Sequence, residues 1–191
     1  MPRSPVPLFH AAADVPAKHT AIVTLQVAGQ APGPKLAALD AELGGALLRT
    51  HAGDPASAKG NGGLYEMIFA SGATLRRIIM VTLNDQNSPA SLVRDGGALT
   101  AHLEARGISQ AAILLEPGAG GTLSPADMLA RVALGIRLRR YRFDLRAKSP
   151  VAELDRPWRL DLIGAPRAEM EVALRRANAI AEGVEFGRTL V

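Results

Sequence analysis

The side chains able to do chemistry in this sequence are scattered rather than clustered. Four histidines, His10, His19, His51 and His102, lie far apart along the chain. A metal site needs ligands that converge, most simply two histidines one helical turn apart, and no pair has that spacing. All four read as surface or partly buried histidines. The carboxylate pairs Asp40 with Glu42, and Glu169 with Glu171, sit two residues apart on predicted helices. Their members point in divergent directions, so each pair reads as solvated surface. Glu153 and Asp155 share that spacing in a predicted loop. Cysteine is absent, which excludes a disulfide framework, a thiol nucleophile and a thiolate metal site. Ser71-Gly72 lacks the G-x-S-x-G elbow and has no base near it in sequence. No catalytic, cofactor-binding or metal-binding residue is assigned on these grounds.

Two denser features call for closer reading. Pro117-Gly118-Ala119-Gly120-Gly121-Thr122 follows a predicted strand and precedes a predicted helix. In that position backbone N–H groups could cradle a phosphate. The loop has no P-loop lysine, and Leu123 stands where a dinucleotide fingerprint needs its third glycine. It reads as a turn, with nucleotide binding as the sharper alternative. Arg137, Arg139, Arg140, Arg142 and Arg146 form the densest run of positive charge. At a helix end such charge offsets the macrodipole. The run reads as a solvated helix end plus a packing contact, and a phosphate track for nucleic acid is the minority reading.

The elements that must position these residues follow from hydrophobic periodicity. Thr20–Val27 is a β-branched strand, and Leu36, Leu39, Leu43 and Leu47 stripe a helix over 35–49 that Gly44 and Gly45 weaken. Residues 50–63 read as a loop. Leu64–Ala70 and Leu75–Leu83 read as two strands in a hairpin. Ser88-Pro89 caps a helix to Arg106, stopped by Gly107, and 111–115 is a buried strand. Ser124-Pro125 with Asp127 opens what reads as the longest helix, through Leu129, Val132 and Ile136. Trp158–Ile163 is a strand, and 166–184 is a last helix with Glu171 and Arg175 paired across one turn. Its residues Met170, Leu174, Ala177 and Ala181 should pack on the sheet, leaving apolar area near Ile180, Val184 and Phe186 exposed or covered by self-association. Alternating helices and buried strands predict an α/β fold, a three-layer α/β/α sandwich with a mixed sheet. Residues 1–19 read as a flexible N-terminal segment, residues 20–185 as one domain.

At 191 residues, 48% apolar and 21% charged, the composition is that of a globular domain. The net charge of +4 is modest for a nucleic-acid binder. No apolar run in the first twenty residues has the length of a signal peptide, and no stretch approaches a membrane span.

Two segments carry a resemblance. Gly135, Leu138, Tyr141, Arg142, Phe143 and Asp144 match a G-x-x-L-x-x-Y-R-F-D pattern, and residues 177–191 run through AIAEGV into Gly187-Arg188-Thr189-Leu190-Val191. In this order and at this spacing they resemble the N-terminal domain of the leucyl aminopeptidase (cytosol aminopeptidase) family. Thr189 stands where the family's junction carries aspartate. The resemblance implies a macro-domain-like fold and a parent enzyme that removes N-terminal amino acids from peptides. It also implies that residues 186–191 open a linker to a catalytic domain absent from this chain. The family uses two divalent metal ions, zinc or manganese, held by motifs of that catalytic domain. This chain alone would then lack the catalytic machinery and serve domain packing and oligomer contacts in a cytoplasmic enzyme, usually a hexamer. The alternatives are a stand-alone macro-like module binding a nucleotide or ADP-ribose, and a basic nucleic-acid-binding module.

Overall fold

A computed structural model describes residues 6–16, 19, 21–27, 30–53, 63–71, 74–83, 88–116, 121–141 and 157–190. Six strands, β1 (Leu8–Ala11), β2 (Ala21–Val27), β3 (Leu64–Ser71), β4 (Thr74–Leu83), β5 (Gln110–Leu115) and β6 (Arg159–Ile163), form one sheet. Their order is β1-β6-β5-β2-β4-β3. Every neighbouring pair is parallel except β3 with β4, so the sheet is mixed. The helices are α1 (Pro34–Glu42), α2 (Ala46–Gly53), α3 (Pro89–Ala105), α4 (Pro125–Arg140) and α5 (Arg167–Thr189). α3, α4 and α5 cover one face, and α1 and α2 pack on the other. The result is an α/β/α sandwich.

The strands buried on both faces are the apolar runs. Ile79 and Val81 of β4 point toward α3, while Ile78 and Met80 point toward α1 and α2, and all four are buried. Such a strand has no polar side to show, which is why it reads as a continuous hydrophobic run. On the three-helix face Leu99, Leu129, Val132, Ile136, Met170 and Leu174 close over the sheet. The helix signals hold locally. Ser88 Oγ accepts from the Ser91 N–H at 3.2 Å, and Ser124 Oγ from the Asp127 N–H at 3.1 Å. At the end of α3, Ile108 N–H donates to Leu103 at 2.9 Å and Gly107 N–H to Glu104 at 3.1 Å. Gly107 has φ 64, and the two bonds form a Schellman stop.

Five expectations are corrected. Residues 1–19 do not simply hang loosely: Leu8–Ala11 is an edge strand in register with Arg159–Leu162. A four-residue strand flanked by prolines is below the length at which alternation is readable. The helix expected over 35–49 is two helices, broken where Gly44 and Gly45 take φ 62 and 74, values an α-helix cannot contain. The second of them runs through Gly53, into the expected loop. α5, with 23 residues running through Thr189, is longer than α4 with 16. Finally, the direct ion pair of Glu171 is with Arg167, at 2.8 Å, and Arg175 acts on it as a weaker charge.

A candidate cleft at the carboxyl ends of the strands

Adjacent parallel strands β2 and β5 lead into helices on opposite faces of the sheet, α1 and α4. Chain reversals of this kind part the loops at the carboxyl ends of strands, where open α/β sheets bind ligands. A cleft of about 420 Å³ opens there, lined by Ala12, Gly33, Lys35, Leu114, Glu116 and Ala165 among others. Lys35 extends from α1 across the cleft, its Nζ donating to the Ala13 carbonyl at 2.5 Å and to Asp14 Oδ1 at 2.6 Å. Beyond this strap a second cleft of about 320 Å³ has Ile22 and Leu114 in its lining, with Arg76 and Glu42 at its edge.

The anion position in the cleft is filled by the protein itself. Glu116, just after β5, accepts from the Lys35 N–H at 2.6 Å with Oε1 and from the Leu36 N–H at 2.9 Å with Oε2. These are unpaired donors of the first turn of α1, where the helix dipole favours negative charge. A Cβ at Gly33 would lie 2.5 Å from the Glu116 carboxyl carbon, so glycine there lets the carboxylate approach. At the start of α4 the N–H acceptor is Ser124 Oγ, which in turn donates to Asp127 Oδ2 at 2.8 Å. The starts of α1 and α4 thus each carry an internal carboxylate, which repels a phosphate. Pro117–Gly120 lie outside the described residues; Gly121 and Thr122 are exposed. Among the described residues lining the 420 Å³ cleft there is no histidine, serine or tyrosine, and its two ionisable side chains, Lys35 and Glu116, are engaged in the bonds just given.

The histidines do not meet. His10 is exposed, and His51 falls in α2. His19 is not surface: it is 2% exposed, and its Nε2 lies 2.6 Å from Oδ2 of the buried Asp161, 142 residues away. That pair ties the segment before β2 to β6. His102 on α3 stands beside Glu66, with Nε2 3.0 Å from Oε2 but not aligned for a hydrogen bond. Glu66 also pairs with Arg77 and Arg106. Burial, and then the Arg106 guanidinium, hold the His102 pKa below its ordinary value, against the pull of Glu66. Asp40 is not merely solvated: its Oδ1 accepts from the Leu48 N–H at 3.0 Å in the first turn of α2. Glu42 and Glu169 are exposed. Glu153 and Asp155 lie outside the described residues. Among the described residues no three histidine, aspartate or glutamate side chains converge as a metal site would need.

The arginine run is the largest surprise. Arg137 and Arg140 are 6% and 4% exposed, so of the expected solvated helix end plus packing contact it is the packing contact that dominates, as an internal clamp. Arg137 donates to both carboxylate oxygens of Glu185, at 2.8 and 2.9 Å, and to Asn178 Oδ1 at 3.0 Å. Those bonds to Glu185 raise its pKa further. Arg140 lies 4.3 Å from the ring centroid of Trp158, a cation–π contact, and 3.9 Å from Glu104. Arg139 is exposed, and Arg142 and Arg146 lie outside the described residues. A bidentate fork needs a planar cation that carries its charge inward, which charge counting along a helix cannot reveal.

No protein-family model and no curated protein sequence matches this chain. Solved structures do. A tomato leucine aminopeptidase variant aligns at TM-score 0.67 and 21% identity, over 98% of this chain and 38% of that one. The bottromycin maturation enzyme BotP in complex with Mn aligns at 0.52 and 16% identity, over 85% of this chain and 30% of BotP. A further BotP structure gives 0.55 and 17%, over 89% and 31%. This chain therefore has a fold that a leucine aminopeptidase and BotP contain, and it spans between 30% and 38% of their lengths.

Proposed function

We propose that this chain is the non-catalytic N-terminal domain of a leucyl aminopeptidase-type metallopeptidase, acting through packing against a catalytic domain and through oligomer contacts. The observation that carries the reading is where the two family-like segments lie. Gly135–Tyr141 ends α4, residues 177–189 form the second half of α5, and the Arg137–Glu185 fork joins them. The fold match over 98% of the chain but only 38% of the tomato enzyme supports the same reading. On it, two divalent metal ions, zinc or manganese, would be held by the catalytic domain rather than by these residues, and there they would position water and polarise the scissile carbonyl. The enzyme would be cytoplasmic; no helix among the described residues is long and apolar enough to cross a membrane.

The purified chain should leave a leucyl p-nitroanilide intact with or without added Zn²⁺ or Mn²⁺. Metal-dependent turnover that co-purifies with the chain would overturn the reading. Calorimetric heat with ADP-ribose would favour a nucleotide-binding module instead, against the Glu116 carboxylate that fills the α1 terminus. Duplex binding that weakens steeply with salt would favour a nucleic-acid module.

A further inference from the structure

α5 has two apolar sides. One carries Met170, Ala173, Leu174, Ala177 and Ala181 into the core. On the opposite side Val172, Arg176, Ala179, Gly183, Phe186 and Leu190 are all exposed, and their spacings of four, three, four, three and four place them in one line on a helix. Phe186 and Leu190 are 65% and 70% exposed. Gly183 belongs to this line although a Cβ there would meet nothing within 4 Å. The fold therefore does not require that glycine, and glycine weakens an exposed helix interior relative to alanine. Where glycines do face each other across helices inside this protein, backbones touch. A Cβ at Gly96 of α3 would lie 2.2 Å from the Val132 carbonyl oxygen, and one at Gly135 of α4 2.0 Å from that of Val93.

The line is chemically symmetric about its midpoint. Turned end for end, Val172 faces Leu190, Arg176 faces Phe186 and Ala179 faces Gly183. Large apolar meets large apolar, a cation meets an aromatic ring, and small meets small. Ile180, 42% exposed on one flank, would meet its own copy. On the other flank Glu182 would also meet its copy, a repulsion lessened by Arg137 at 3.8 Å. We propose that this face of α5 is a homodimer seam, in which two copies of the chain pack their α5 helices antiparallel about a two-fold axis. The occupant is a second copy because each position finds its complement on the same helix. The proposal does not depend on the aminopeptidase reading.

The seam is about 27 Å long and falls short of a standard stable interface, so the dissociation constant should be on the order of 100 µM. Sedimentation velocity of the intact chain from 10 µM to 1 mM, a range on the order of that constant, should show a reversible monomer–dimer equilibrium. Phe186→Asp should raise the dissociation constant at least about tenfold with unchanged circular dichroism, and Glu182→Gln should lower it. The chain has no cysteine, which allows a test of register. A mixture of Ala179→Cys and Gly183→Cys chains should oxidise to a cross-linked heterodimer in preference to either homodimer. A chain monomeric at 1 mM, a dimer indifferent to Phe186→Asp and Gly183→Asp, or preferential Ala179→Cys homodimers would each overturn the proposal. The first of these outcomes would leave the face to a different domain.

Discussion

The two faces of the sheet differ in how they are closed. On one, α3, α4 and α5 pack into a continuous core in which Gly96 and Gly135 bring backbones into contact and Arg137 clamps α4 to α5. On the other, Leu36, Leu47, Ile78 and Met80 form one cluster under α1 and α2. Ala112, Leu114 and Ile163 form another under Ala12 and Val15. Between these clusters the described links at the clefts are the Lys35 strap and the Glu116 carboxylate on the start of α1. The difference teaches where stability resides and where change is tolerated. The three-helix face is close-packed where α3 meets α4, with a cleft of about 370 Å³ between the starts of α4 and α5, whereas the other face carries two clefts at its strand ends.

Substitutions can break or sharpen this contrast. The largest expected effect is on the close-packed face: Arg137→Ala, which strands a largely buried Glu185, should cost about 3 kcal/mol in denaturant unfolding. Gly135→Ala should cost about 2 kcal/mol by forcing α3 and α4 apart. On the looser face Asp161→Ala, which removes the partner of buried His19, should cost about 1.5 kcal/mol. If it cost as much as Arg137→Ala, the ranking of the two faces would be wrong. The smallest effect concerns pH. His102 has a folded pKa below its unfolded value, so below about pH 6.5 the unfolded chain binds the proton more readily. Stability should fall as pH drops through that region, and His102→Gln should flatten the fall by a fraction of the Asp161→Ala effect. An unaltered pH profile would mean that the Glu66 pull balances burial and Arg106, and a steeper fall that it outweighs them.

Much of this architecture is legible along the chain because it is local. Ser88-Pro89, Gly107 and Ser124-Pro125 mark helix ends through bonds that span three to five residues, and the runs in β2, β4 and β5 announce burial on both faces. What escapes the sequence is contact across distance. Glu116 meets α1 across 80 or 81 residues, His19 meets Asp161 across 142, and Arg137 meets Glu185 across 48. An arginine beside a helix end has the same local pattern whether its guanidinium points to water or to a carboxylate. The candidate cleft is of this second kind, since its walls come from four separate stretches of chain.

Among the described strands, β1 pairs only with β6, the last of the six in chain order: Leu8 N–H donates to Trp158 at 2.8 Å and Ala12 N–H to Leu162 at 2.9 Å. On the ribosome, Leu8–Ala11 therefore emerges long before its partner exists. At typical synthesis speeds the wait is roughly 8–30 s. Throughout it the nascent chain carries an unpaired β-edge while β2, β4 and β5 can already assemble. Within this sheet the earliest strand is then the last joint closed, and a bulky group attached just ahead of Leu8 during translation should slow closure of the sheet more than one placed after α5.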